Sequence, residues 1–146
     1  MESSDFFIVS VLILVTLIVT VTVSISLSNF TVVDGIDSSA LTIAKMGMWV
    51  GWLAVISVFV VVAGSYSNNT MTRRIGAGFS LMFLILSGIL YAVAQSKGEA
   101  GESAAENLST LKALNAAGYI ALVIGFLAVG YVVGIYHKGA GILDKF

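Results

Sequence analysis

This sequence has no cysteine and no proline. The first absence excludes disulfides, iron–sulfur clusters and cysteine-based zinc sites. The second removes the residue most often responsible for kinks in membrane helices, so straight, uninterrupted helices are expected. Charge is scarce as well: 10% of the 146 residues are Asp, Glu, Lys or Arg, where soluble domains carry roughly a quarter. Seven Lys and Arg stand against eight Asp and Glu, and the net charge of −1 offers no electrostatic grip on nucleic acid. The single histidine, His137, has no second His and no Cys to join it in a metal site.

Apolar side chains dominate instead, at 58% of the chain and a mean hydropathy of +1.03. A soluble chain of this length cannot hide that much apolar surface. The apolar residues fall into four blocks, 6–29, 47–66, 77–95 and 113–136, with a hydrophilic loop over 96–112. At 1.5 Å per residue, Ala113–Tyr136 makes about 36 Å of helix, enough to cross a bilayer with some tilt. The fold class expected is an all-α membrane protein: four transmembrane helices in a compact up-down bundle with short loops, forming one polytopic domain over 1–146.

The first block lacks both the basic start and the short apolar core of a signal peptide, so it reads as a retained span. Its end, Val21–Ser28, alternates apolar and polar residues like a strand. A lone strand in lipid leaves its backbone unpaired, which decides for helix. Thr16, Thr20, Ser24 and Ser28 line one face of that helix. They bond back to carbonyls one turn earlier or, in a sharper reading, line a water path.

Small residues recur at four-residue spacing in the other blocks: Gly47 and Gly51, Gly88 and Ala92, then Ala117, Ala121 and Gly125, followed by Gly130 and Gly134. In lipid such stripes let neighbouring helices approach closely, so all nine are read as helix-packing residues, with Gly125, Gly130 and Gly134 facing protein. Between the blocks, Asp34-Gly35 signals a turn with Asp37 or Ser38 as the next helix's N-cap, and 40–46 reads as helix feeding the second span. The short segment 67–76 makes spans two and three antiparallel neighbours, with Arg73 and Arg74 as a topology anchor. Ser103 and Glu106 fit a capping box, which starts a helix near Ser103.

No catalytic, cofactor-binding or metal-ligating residue emerges. Gly76-Ala77-Gly78 and Gly139-Ala140-Gly141 are neither GxGxxG nor a P-loop, and GxSxG is missing. Glu99, Glu102 and Glu106 lack the stereotyped spacing of a calcium loop. None of the four blocks contains Asp, Glu, Lys, Arg or His, which argues against a pump or ion-coupled transporter. Sequons occur at Asn29, Asn68 and Asn107; the first two lie very close to the membrane, leaving Asn107 as the acceptor if any is used. The N-terminus, 67–76 and the C-terminal tail together hold four Lys and Arg against three in the other two loops, a thin preference for both termini on the inner side.

These features point to a structural or scaffolding integral membrane protein, with no enzymatic activity, that serves as a small subunit or anchor of a larger assembly. A virion inner membrane beneath its capsid, or a multi-subunit membrane complex, would suit it. The alternative is an oligomeric, viroporin-like pore. The expected partners are membrane lipids and other protein subunits, with a homo-oligomer as one form and nucleic acid excluded. Docking is assigned to the hydrophilic segment, through Glu102 and Glu106 beside an apolar Leu108/Leu111 edge.

Overall fold

A computed structural model describes the backbone of residues 3–137 and the side-chain surroundings of residues 10–130. All regular structure among the described residues is helical. Four helices run in chain order: α1 (Ser3–Leu27), α2 (Gly35–Tyr66), α3 (Thr70–Glu99) and α4 (Leu108–His137). Each packs on its neighbours in sequence and α4 closes back onto α1, with the α2–α3 seam the most extensive. This is the expected up-down bundle. All four helices contain stretches long and apolar enough to cross a membrane.

The helices run longer than the apolar blocks. α2 begins at Gly35, where the Asp37 N–H donates to Asp34 Oδ1 (2.7 Å) and the Asp37 carboxylate reaches back to the Asp34 N–H. That is a reciprocal capping box with Asp34 as the N-cap, so neither Asp37 nor Ser38 is the cap. α3 runs through Glu99 and α4 starts at Leu108, so much of 96–112 is helix rather than loop. The strand-like 21–28 is helical through Leu27, as the backbone argument requires. Only 67–69 separates α2 from α3. There Asn68 takes a left-handed φ of 54°, and the Asn69 carboxamide caps α3 by accepting the Thr72 N–H (3.1 Å).

Packing favours small residues at the helix contacts. α2 buries Ala40, Ala44, Gly47, Gly51, Ala54 and Ser57 with Val55, Val58 and Val61, while Trp49, Leu53, Ile56 and Phe59 stay exposed. Lipid is as apolar as leucine, so burying large residues yields little there and close backbone approach yields more. A Cβ on Gly76 would meet the Val61 nitrogen at 2.9 Å and the Ser57 carbonyl at 3.0 Å, so α2 and α3 touch at the backbone. Gly118 lies equally bare against α3, where a Cβ would meet the Gly88 carbonyl at 3.3 Å and the Ala92 nitrogen at 3.4 Å.

One apolar cluster gathers at one end of the bundle. Val19, Val23, Leu27, Ala44, Tyr91, Ala94, Leu111, Leu114 and Ala117 form one buried cluster, and Phe30, Leu41 and Ala104 pack on it. The Tyr91 ring fills the trough left by Gly47 and Gly51, with its hydroxyl buried and without a hydrogen-bond partner. Replacing Tyr91 by phenylalanine is therefore expected to leave stability unchanged or raise it by up to about 1 kcal/mol, since a buried hydroxyl without a partner carries a desolvation cost that phenylalanine lacks. Thermal unfolding in detergent checks this; a clear loss means the hydroxyl has a partner.

Candidate functional site

At the end where this core lies, α2 and α3 run past their apolar blocks. α2 is 32 residues, about 48 Å at 1.5 Å per residue, against roughly 30 Å of hydrocarbon. The excess stands beyond the span starting near Gly47, together with the loop 28–34, the loop 100–107 and the first turns of α4. These segments form a cap whose polar groups are tied together.

Asp37 is the centre of the tie. It has no solvent exposure, and its Oδ2 accepts the Val33 N–H (3.1 Å), the Asp34 N–H (3.4 Å) and the Ser103 N–H (3.2 Å). The first two donors flank the start of α2 and the third belongs to the opposite loop. Asp34 adds a second crossing, its Oδ2 accepting the Glu102 N–H (3.2 Å). Any side chain at position 101 would collide with Asp37 Oδ1, so Gly101 is required by close approach. Burial pushes the Asp37 carboxyl up. The amide donors of Val33, Asp34 and Ser103, with the nearby Ser103 hydroxyl, outweigh burial and hold it below the ordinary 3.8.

Asn107 makes the third crossing. The Thr31 N–H donates to its Oδ1 (2.8 Å) and its Nδ2 donates to the Thr31 carbonyl (2.8 Å). One carboxamide thereby satisfies both backbone groups of a residue outside any helix. Below it, Thr110 Oγ1 donates to the Ser26 carbonyl (3.2 Å), linking α4 to the end of α1.

Several expectations change in this light. The docking edge does not exist as read: Leu111 is 3% exposed and packs in the core, while Leu108 is 52% exposed. Their three-residue spacing puts them on neighbouring faces, and the α1 and α3 ends cover only one. Glu102 and Glu106 are exposed. Ser103 does not cap a helix with Glu106, because its N–H is committed to Asp37 and α4 starts at Leu108. Asn107 is 2% exposed with its carboxamide engaged, so it cannot accept a glycan as folded.

The packing glycines divide. A Cβ on Gly47 would meet the Tyr91 ring at 2.9 Å, on Gly51 Thr20 Oγ1 at 2.8 Å, on Gly88 Leu122 Cγ at 2.9 Å, and on Gly125 Ile85 Cγ1 at 2.6 Å. Ala117 and Ala121 are buried. Ala92 is exposed, although its backbone lies against Gly118. Gly130 has open space where a Cβ would go, so among the described residues the close approaches of this stripe end at Gly125. The surroundings of Gly134 and His137 lie outside the described residues. Arg74 is exposed, and Arg73 Nη2 donates to Thr70 Oγ1 (3.1 Å) at the opposite end of the bundle. Missed as packing positions were Gly64, Gly76, Gly98, Gly101 and Gly118, none of which has a second glycine four residues away.

The hydroxyl stripe of α1 takes the first of its two readings. Thr16, Thr20 and Ser24 donate to the carbonyls of Leu12 (2.6 Å), Thr16 (2.8 Å) and Thr20 (2.7 Å). Among the described residues, no three His, Cys, Asp or Glu side chains are grouped as a metal site needs. No family model, curated protein or solved structure matches the chain.

Proposed function

We propose that this protein is a structural subunit of a larger membrane assembly, a scaffold or anchor that holds a protein partner at its tied cap. One observation carries the reading: an exposed apolar edge is mounted on a hydrogen-bonded base. Val32, Val33 and Ile36 are all exposed at the start of α2, and Leu108 is exposed where the second loop ends. Val32 and Val33 follow the Thr31 held by Asn107, and Leu108 follows Asn107 itself, so the crossings fix the backbone that carries them. A preorganised edge loses little entropy on binding. Exposed Glu102 and Glu106 favour a basic segment as the partner and act mainly on its rate of encounter.

The test is a photo-crosslinking residue at Val33 in native membranes, with one at lipid-facing Ile56 as control. A discrete protein adduct at position 33 only, lost in Val32→Ser/Leu108→Ser and slowed by Glu102→Lys/Glu106→Lys, is the expected result. Adducts equal at both positions, or none at position 33, would overturn docking at the cap. Robust, saturable ion flux through liposomes holding the purified protein would instead favour an oligomeric pore.

A further inference from the structure

We propose that the outward face of α3, where it leaves the bilayer, binds a phospholipid whose headgroup carries a phosphate and a primary ammonium. A shallow, open depression lies there, lined by Ala92, Val93, Ser96, Lys97 and Ala100. Ala92, Ser96 and Ala100 succeed one another at each turn, and their small side chains leave the trough open.

Its level along α3 matches a lipid. Along α3, Arg74 and Lys97 stand about 35 Å apart at 1.5 Å per residue. That separation exceeds the roughly 30 Å hydrocarbon and fits within the 40–45 Å of a whole bilayer, so each lies in a headgroup layer. Ala92 and Val93 then fall at the upper ends of the acyl chains, with Ser96 and Lys97 at the phosphate.

The charges select the headgroup. Lys97 is exposed, and neither it nor Lys45 or Lys112, the other lysines of this end, makes an ion pair or side-chain hydrogen bond among the described residues. The phosphate supplies the missing counter-ion for Lys97. At 100° per residue, Lys97 and Glu99 flank the Ala92–Ser96–Ala100 line on opposite sides. Glu99 is exposed; one of its oxygens, Oε1, accepts from Gln95 Nε2, and no bond involves the other. An acid placed farther out than the lysine suits an ammonium extending past the phosphate. A phosphatidylethanolamine-type headgroup can donate N–H bonds to that acid, a quaternary choline cannot, and a net-anionic headgroup meets Glu99, Glu102 and Glu106 as like charges. This site is separate from the cap edge and does not depend on the docking reading.

The experiment places the full chain in phosphatidylcholine vesicles with trace chain-spin-labelled lipids, and reads the immobilised fraction by electron spin resonance. Ethanolamine lipid is expected to associate about threefold over choline lipid, the value of one exposed ion pair. Glu99→Gln should remove that preference. Lys97→Gln should weaken association of both lipids, and Lys45→Gln should change neither. A role for Lys97 confined to the helix dipole would move thermal stability and leave lipid association unchanged. That result overturns the site. So does a preference for phosphatidylglycerol, or an equal effect of Lys97→Gln and Lys45→Gln, either of which leaves only a diffuse basic collar.

Discussion

Gly76→Leu is expected to break the bundle, while Gly78→Leu, two residues away on the same helix, leaves it folded. At position 76 the added side chain meets the backbone of α2, the Val61 nitrogen at 2.9 Å and the Ser57 carbonyl at 3.0 Å from the first new carbon alone. Backbone cannot swing aside as a side chain can, so α2 and α3 must separate along their largest shared surface. Overpacking typically costs about 1–3 kcal/mol, and a branched side chain against backbone belongs at the top of that range or beyond. Position 78 has nothing within 4 Å, and leucine there gains roughly 0.5–1 kcal/mol of helix propensity. Gly130 is expected to behave like Gly78, because its Cβ position is also open among the described residues. Folded yield and thermal unfolding in detergent for the three variants decide the matter. Equal loss at 76 and 78 would mean that α2 and α3 do not meet in this register, and loss at 130 alone would place a neighbour other than the described residues against α4.

That contrast shows which features of the sequence carried information. Repeated spacing was legible: Gly47 and Gly51 do receive a neighbour at close range. What the spacing does not reveal is the neighbour, here the Tyr91 ring rather than a helix backbone. Lone glycines such as Gly64, Gly76 and Gly118 were illegible, because their need is created by the partner helix. Gly130 shows the reverse case among the described residues, since GxxxG states that an approach is permitted and not that one occurs. Helix ends were misread for a related reason. Lys97, Glu99 and Lys112 mark the edge of the hydrocarbon, but a backbone ladder continues into water as long as it is capped and packed. Gly98 does that packing, lying against Leu111 and Ala40, which is how α3 extends beyond its apolar block. The buried role of Asp37 had no sequence signal beyond its three-residue spacing from Asp34, a capping box written with Asp in place of the commoner Glu.

The loops at the cap are held by so few groups that single substitutions should release them. Asn107→Ala leaves the Thr31 N–H and carbonyl without their partner, and the two bonds together set an expected loss of about 2–3 kcal/mol. Asn107→Asp separates the two bonds: an ionised carboxylate still accepts the Thr31 N–H but cannot donate to the carbonyl. Its loss should therefore fall at or above that of alanine at neutral pH and shrink in acid, where a protonated carboxyl regains the donor. Asp37 has the opposite acid dependence. Its folded carboxyl lies below the ordinary 3.8, so its contribution is complete above that pH and is lost as pH falls through the folded value. Asp37→Asn should remove this acid limb. It also removes the charge to which the Val33, Asp34 and Ser103 amides donate, so the variant should be less stable at neutral pH as well. Hydrogen exchange reads the event locally, because the Val33 and Ser103 amides both end on Asp37 Oδ2. Both should exchange faster in Asp37→Asn, while the Thr72 amide at the opposite end, bonded to Asn69, keeps its protection. Faster exchange at all three means that Asp37 supports the whole bundle, and unchanged exchange at Val33 and Ser103 means the loops are held without it. Only the local outcome fits a cap whose two loops are tied through one buried carboxylate.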